Sequence, residues 1–199
     1  MDDKYNIIKS IAENSDGIVT TKQIEEAGLS RTIIKNYIDQ DLLIREAKGV
    51  YTISSTLVDE YKLLQKRSEK IVFSYGTALY LHGMSDRVPH MLDVTIQQGY
   101  NVSRIKKDHP NVRFHYVILE WWKLGLTKIL TPMGAKVLVY DKERCICDLI
   151  NHKKNIDIQL YTQAIKEYFK SSADVRKVLK YGKVFGIEEK IRTYMEVLL

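Results

Sequence analysis

Apolar residues recur at helical spacing in the first forty positions. Tyr5, Ile7, Ile8 and Ile11 do so between Asp3 and Glu13, and Ile33, Ile34, Tyr37 and Ile38 between Ser30 and Gln40. The first run predicts a helix over 3–13, ended by Asn14-Ser15-Asp16-Gly17. Ile18 and Val19 follow as a short strand. The pattern then gives a helix over Thr21–Ala27, a turn at Gly28-Leu29, and a second helix from Ser30 to near Gln40. Ser30 has the side chain of an N-cap, and Gly28 suits a turn of positive φ. Leu42–Arg45 and Val50–Ile53 read as two short strands around Ala47-Lys48-Gly49.

The second helix of this group has an apolar stripe and a polar face. Thr32, Lys35, Asn36 and Asp39 lie opposite the stripe, with Arg31 at its edge. A helix buried on one side and polar on the other is what lying in a DNA major groove requires. The strand pair then reads as a wing with Lys48 at its tip, facing phosphate. Two amphipathic helices and a hairpin also suit a domain that binds only protein.

Further along, Ser54-Ser55-Thr56 is expected to cap a helix over Leu57 to Arg67, packed through Val58, Tyr61, Leu63 and Leu64. The charged stretch Arg67-Ser68-Glu69-Lys70 separates two apolar patterns and marks a boundary between domains 1–69 and 70–199. Ile71–His82 reads as helix with Gly83 beyond its end. Met91–Gln97 and Val112–Leu119 read as strands. Gly125–Thr131 and Ala135–Val139 form a strand pair turned by Pro132-Met133-Gly134. Asp141 caps the next helix. Leu160–Phe169, Ala173–Tyr181 and Ile187–Leu198 are helical, punctuated by Gly182 and Gly186. The expected fold class is α+β: an N-terminal winged helix-turn-helix followed by a mixed α/β C-terminal domain ending in helices.

Charge changes the picture because it is uneven. The chain carries a net +6. Residues 1–69 hold 10 basic and 12 acidic side chains, whereas residues 70–199 hold 21 and 13. A DNA-binding first domain therefore has to concentrate its few cations on one face. The basic second domain suits an acidic partner or further phosphate contacts, or is simply a solvated basic surface. No apolar run reaches the length of a membrane span. The acidic start Met1-Asp2-Asp3-Lys4 lacks a signal-peptide pattern, so the expected location is cytoplasmic. Cys145 and Cys147 read as small buried residues rather than a disulfide or zinc ligands.

No catalytic constellation assembles. His82, His90, His109, His115 and His152 are scattered without metal-ligand spacing, and there is no glycine-rich phosphate loop or nucleophile elbow. Neither cofactor nor metal is implied, and no enzymatic activity is expected. Asp93 on one strand and Glu120 near the end of the next, with Lys123 near, are two acids that a metal-dependent nuclease would use, though their spacing is loose and such acids are usually solvated or paired. Arg144 and Asp148, four apart, are read as a structural ion pair. Of Trp121 and Trp122, one is expected to pack in a core and the other to anchor at a surface.

These residues resemble a family, the AbiEi-type antitoxins of bacterial type IV abortive-infection toxin–antitoxin systems. In the first half the resemblance rests on the helix-turn-helix and its closing strand Lys48-Gly49-Val50-Tyr51. In the second it rests on Thr77-Ala78-Leu79-Tyr80-Leu81-His82-Gly83, a β region, and Asp141-Lys142-Glu143-Arg144-Cys145-Ile146-Cys147-Asp148. Thr77 stands where the family often has Ser, and Arg144-Cys145-Ile146 where it often has Arg-Thr-Leu. The resemblance implies a transcriptional autorepressor whose N-terminal domain binds inverted repeats in its own promoter. It further implies an antitoxin domain, residues 70–199, that counters a nucleotidyltransferase-like toxin without a stable complex, within phage resistance.

On that reading Thr32, Lys35 and Asn36 reach base edges, Lys35 suiting guanine and Asn36 adenine. Lys22, Arg31, Arg45 and Lys48 hold phosphates and fix register. Two alternatives stay open: a transcription regulator whose second domain senses a small molecule, and the DNA-binding nuclease above.

Overall fold

The computed structural model describes residues 2–54, 57–171 and 173–198. It is a mixed α+β protein of two compact units. One comprises residues 1–69 with Met133–Ala135, the other 70–132 with 136–199.

The first unit runs α1 (Asp3–Glu13), β1 (Ile18–Thr20), α2 (Thr21–Glu26), α3 (Arg31–Asp39), β2 (Leu43–Ala47), β3 (Val50–Ile53) and α4 (Glu60–Arg67). The strands form an antiparallel sheet in the order β1-β3-β2. Its main core gathers one face of each of the first three helices: Tyr5, Ile8 and Ala12 from α1, Ile24 from α2, Ile34 and Tyr37 from α3. Ile11, Ile33 and Ile38 pack at the margin of this core, but Ile7 is exposed. The position of Ile7 in α1 is taken instead by Ala12, four residues beyond Ile8 on the same stripe. The Tyr37 hydroxyl donates to Asp2 Oδ2 at 3.0 Å and ties the start of α1 to α3.

Several local expectations need correction. Ser30 is the N-cap of α3 by position, but its hydroxyl makes no capping hydrogen bond. The working cap is at α2, where Thr20 Oγ1 accepts from Gln23 N–H and the Gln23 side chain accepts from Thr20 N–H, a reciprocal box. β2 runs on to Ala47, with an irregular register between Arg45 and Ala47. α4 begins at Glu60, capped by the buried Asp59, whose carboxylate accepts from Tyr61 and Lys62 N–H. Of the serine and threonine cap expected there, Ser55 and Thr56 lie outside the described residues.

The second unit continues with β4 (Val72–Phe73), α5 (Tyr75–Leu81), β5 (Leu92–Gln97), α6 (Ser103–Asp108), β6 (Val112–Val117) and α7 (Leu119–Lys123). Then come β7 (Leu126–Leu130), β8 (Lys136–Tyr140), α8 (Lys142–Asn151), a 3-10 turn at Lys153–Asn155, α9 (Ile158–Ser171), α10 (Val175–Phe185) and α11 (Glu188–Leu198). A five-stranded mixed sheet has the order β6-β5-β4-β8-β7, with β5–β6 and β4–β8 parallel. Ile71–His82 is thus not one helix: Val72 and Phe73 are fully buried as the central strand, and the helix starts only at Tyr75. Val112–Leu119 ends as a strand at Val117, and α7 carries both tryptophans half-buried. Trp121 stands edge-on to Phe185, while the Trp122 indole donates to Lys70 O at 3.0 Å. Gly182 does not punctuate the helices. It lies inside α10, where an added Cβ would fall 2.5 Å from Ile191 Cδ1, so it lets α11 pack close. Gly186, in the left-handed region, ends α10.

The stretch Asp141–Asp148 knits this unit together. The Asp141 carboxylate caps α8 through Arg144 N–H at 2.8 Å and accepts from Tyr181 Oη and Lys177 Nζ, each at 3.0 Å. Glu143 also pairs with Lys177 at 3.0 Å. Burial alone lowers the Lys177 ammonium, but its hydrogen bonds to Glu143 and Asp141 outweigh this and raise it. Arg144 and Asp148 form the expected ion pair at 2.9 Å, both buried. Cys145 and Cys147 are buried free thiols, raised chiefly by desolvation.

Candidate nucleic-acid interface

The polar face of α3 is open to solvent. Arg31, Thr32, Lys35 and Asn36 are all exposed, while Ile34 and Tyr37 hold the other face in the core. The β2–β3 hairpin presents Arg45 and Lys48, also exposed, and Gly49 takes a φ of 76° that closes its two-residue turn.

Folding gathers most of the sequence-chosen cations. Arg31, Lys35, Arg45 and Lys48 line one depression of about 770 Å³, floored by Ile34, Ile38 and Tyr51. Lys22, Arg31 and Lys48 line a second of about 530 Å³. Arg31, Lys48, Thr21 and Gly49 are common to both, so the two form one strip running between α3 and the hairpin. Thr32 and Asn36 line neither hollow. They stand on the exposed ridge of α3 beside the strip.

Two features escaped the sequence reading. Lys66 and Arg67, at the end of α4, line the second depression. Partial burial and the neighbouring Lys62 hold the Lys66 ammonium below the usual lysine range, against the pull of Asp16. The strip also carries acids on its flank. Glu25 takes the Arg31 guanidinium through Nε and, at 3.2 Å, through Nη2. Lys22 lies 3.6 Å from Glu26. The Arg31–Glu25 pair holds the Glu25 carboxyl below, and the Arg31 guanidinium above, their usual ranges. Phosphate has to compete for Arg31 and Lys22, whereas no acid is paired with Lys35, Arg45 or Lys48 among the ion pairs of the described residues.

In the second unit the acids proposed for cutting separate. Asp93 Oδ1 accepts from His115 Nε2 at 2.8 Å and lies 3.6 Å from Arg113. Glu120 is exposed on α7 and does not line the cavity that holds Asp93. His82, half-buried, donates Nε2–H to Tyr140 O at 2.7 Å, and desolvation lowers its imidazole. No described helix is long and apolar enough to cross a membrane.

Residues 6–54 match the family described as "Transcriptional regulator, AbiEi antitoxin". The match ends at Ser54, so the motifs quoted from the second half stand outside it. No curated protein matches the chain. Among solved structures, the RV2827C protein from Mycobacterium tuberculosis is similar in fold, with a TM-score of 0.62 at 11% identity over 89% of this chain and 70% of that one. The resemblance to AbiEi-type antitoxins read in the sequence is therefore shown, and residues 6–54 are the part of the chain that carries it.

Proposed function

We propose that this protein is a type IV antitoxin and transcriptional autorepressor, and that residues 1–69 form a winged helix binding inverted repeats in its own promoter. The carrying observation is the strip between α3 and the hairpin, where Arg31, Lys35, Arg45 and Lys48 converge beside the exposed Thr32 and Asn36. In this reading α3 enters the major groove, Lys35, Asn36 and Thr32 meet base edges, and Lys48 with Arg45, Arg31 and Lys22 straddles the backbone. Residues 70–199 counter a nucleotidyltransferase-like toxin in the cytoplasm, without forming a stable complex with it and without a reaction of their own. The family match over residues 6–54 supports the regulator half.

The test is binding of the full chain to the duplex upstream of its gene and to a scrambled duplex. Lys35→Ala should weaken binding to the first and narrow the difference between the two. Lys48→Ala should weaken both alike. Unchanged affinity in both variants overturns the docking face. For the antitoxin half, residues 70–199 alone should rescue growth when the neighbouring gene is induced. Failure of even the full chain to rescue would remove that half of the reading.

A further inference from the structure

The second unit holds a small cavity that carries an Asp93–Arg113–His115 cluster and, adjoining it, a groove with an apolar floor edged by lysines. The cavity, about 210 Å³, lies where the N-terminal ends of β5 and β6 meet α5 and the α8–α9 connection. Asp93 and Arg113 are paired across β5 and β6 in register, and His115, two residues on, faces the same side. The Tyr75 ring lies 4.2 Å from the His115 ring, and its hydroxyl is 3.1 Å from His152 Nδ1. His152 Nδ1 is also 3.1 Å from Asp148 O. An Nδ1–H donating to that carbonyl leaves the Tyr75 hydroxyl its own hydrogen to donate; the other tautomer takes that hydrogen on Nδ1.

Two details mark a built site. Tyr75 has a φ of 44°, a conformation that a non-glycine residue keeps only where its surroundings impose it. Gly76 leaves room for the carboxylate, since a Cβ there would sit 3.3 Å from Asp93 Oδ2. His115 and Arg113 approach Oδ1 of Asp93. Oδ2 is left on the Gly76 side as an acceptor.

The groove, about 800 Å³, runs along the 3-10 turn, α9 and α11 and shares His152 and Asn155 with the cavity. Lys153, Lys154, Lys166 and Lys190 line it, and no Asp or Glu does. Lys153 Nζ lies 5.0 Å above the Tyr161 ring and donates to the Tyr194 hydroxyl at 3.3 Å.

The two ends demand different chemistry. Two carboxylates line the cavity, Asp93 facing Arg113 and Asp157 held at 3.3 Å by Arg87 from outside it. Each has its own guanidinium, so the cavity suits a neutral group that both donates and accepts. It is also smaller than the roughly 300–1,000 Å³ of pockets that take a whole ligand, so it holds one ring system rather than a molecule. The groove suits an anionic tail. A neutral, hydrogen-bonding ring with an anionic tail is a nucleotide. We propose that the second unit binds a mononucleotide, with its base between Tyr75, Asp93 and Arg113 and its phosphates on Lys153, Lys154 and Lys190. This goes beyond the antitoxin reading and does not rest on it.

Titration calorimetry on the full chain tests it, using the four ribonucleoside triphosphates, their nucleosides and inorganic tripolyphosphate. At least one nucleotide should bind about tenfold or more tightly than both its own nucleoside and tripolyphosphate. Lys154→Ala and Lys190→Ala should weaken the nucleotide but not the nucleoside. Asp93→Asn should weaken nucleotide and nucleoside but not tripolyphosphate. Arg113→Ala, at an exposed side chain, serves the same purpose if Asp93→Asn fails to fold by circular dichroism. No binding at millimolar concentration overturns the proposal, as does tripolyphosphate matching the best nucleotide. Cavity variants without effect, or single-stranded RNA binding more tightly than every mononucleotide, overturn it as well.

Discussion

Replacing Arg144 with Ala should unfold the second unit more readily than any other single truncation in α8. The Arg144 side chain is 1% exposed and its partner Asp148 5%. Its Nε donates to Asp148 Oδ1 at 2.9 Å and its Nη1 to Leu124 O at 3.0 Å and to Trp121 O. The guanidinium lies 4.2 Å from the Tyr140 ring centre and 4.8 Å from that of Phe185. Burial alone lowers its pKa, but Asp148, Tyr140 and Cys145 together outweigh burial and hold the charge. One side chain thus fastens α7, the α7–β7 turn and β8 to α8. Its removal strands two carbonyls and leaves the buried Asp148 carboxylate, whose Oδ2 has no partner among the described residues, without its counter-charge. Burial then pushes that carboxyl up, with only His152 and His115 still pulling it down. Breaking a buried pair from one side costs about 3–5 kcal/mol, and a chain of this size loses roughly 2–4 °C per kcal/mol, so the midpoint should fall by about 6–20 °C. Arg144→Ala/Asp148→Ala should be less costly than the sum of the singles, because it removes the orphaned charge as well as the pair. Thermal and urea unfolding followed by circular dichroism reads both. A loss under about 1 kcal/mol for Arg144→Ala, or strict additivity, would refute the argument.

Three further outcomes follow from the same geometry. Gly182→Ala should destabilise the α10–α11 pair by about 1–3 kcal/mol in urea unfolding, because its Cβ would sit 2.5 Å from Ile191 Cδ1. The His82 imidazole, lowered by burial, should titrate below 6.5 by NMR in the folded chain. Its unfolded form takes up the proton first as pH falls, so its share of stability is present above about pH 6.5 and is lost below it; His82→Gln should remove that component. Glu25→Gln releases Arg31 from its carboxylate and should tighten promoter binding while steepening its salt dependence by about one unit per protomer. Weaker binding by that variant would mean that the pair positions Arg31 rather than occupying it.

The sequence exposed what periodicity can expose. The α3 stripe is legible because Ile34 and Tyr37 are buried at helical spacing while Lys35 and Asn36 between them are not. Ile71-Val72-Phe73 has no period, since a central strand is covered on both faces, and it therefore read as the start of a helix. α6 and α7 are too short to leave a stripe. Gly182 looked like punctuation because a glycine that permits close helix packing leaves the same sequence trace as one that ends a helix. The cations of α3 and the hairpin were legible as exposed positions on predicted elements. The pairing of Arg31 with Glu25 depends on how α2 turns into α3, and the approach of Lys66 and Arg67 depends on where α4 lies in its unit. The sequence sets Asp93 beside Glu120 and Lys123, and the structure separates it from Glu120. The Asp93 partners Arg113 and His115 arrive through the β5–β6 register, which no local pattern encodes.

The most direct measurement is the affinity of the full chain for the duplex upstream of its own gene and for a random duplex of equal length, across a salt series. The account predicts a preference of roughly 10³-fold or more for the first, and a slope of log affinity against log salt that falls by about 0.9 per protomer in Lys48→Ala. Equal affinity for the two duplexes, or a slope that Lys48→Ala leaves unchanged, would contradict it.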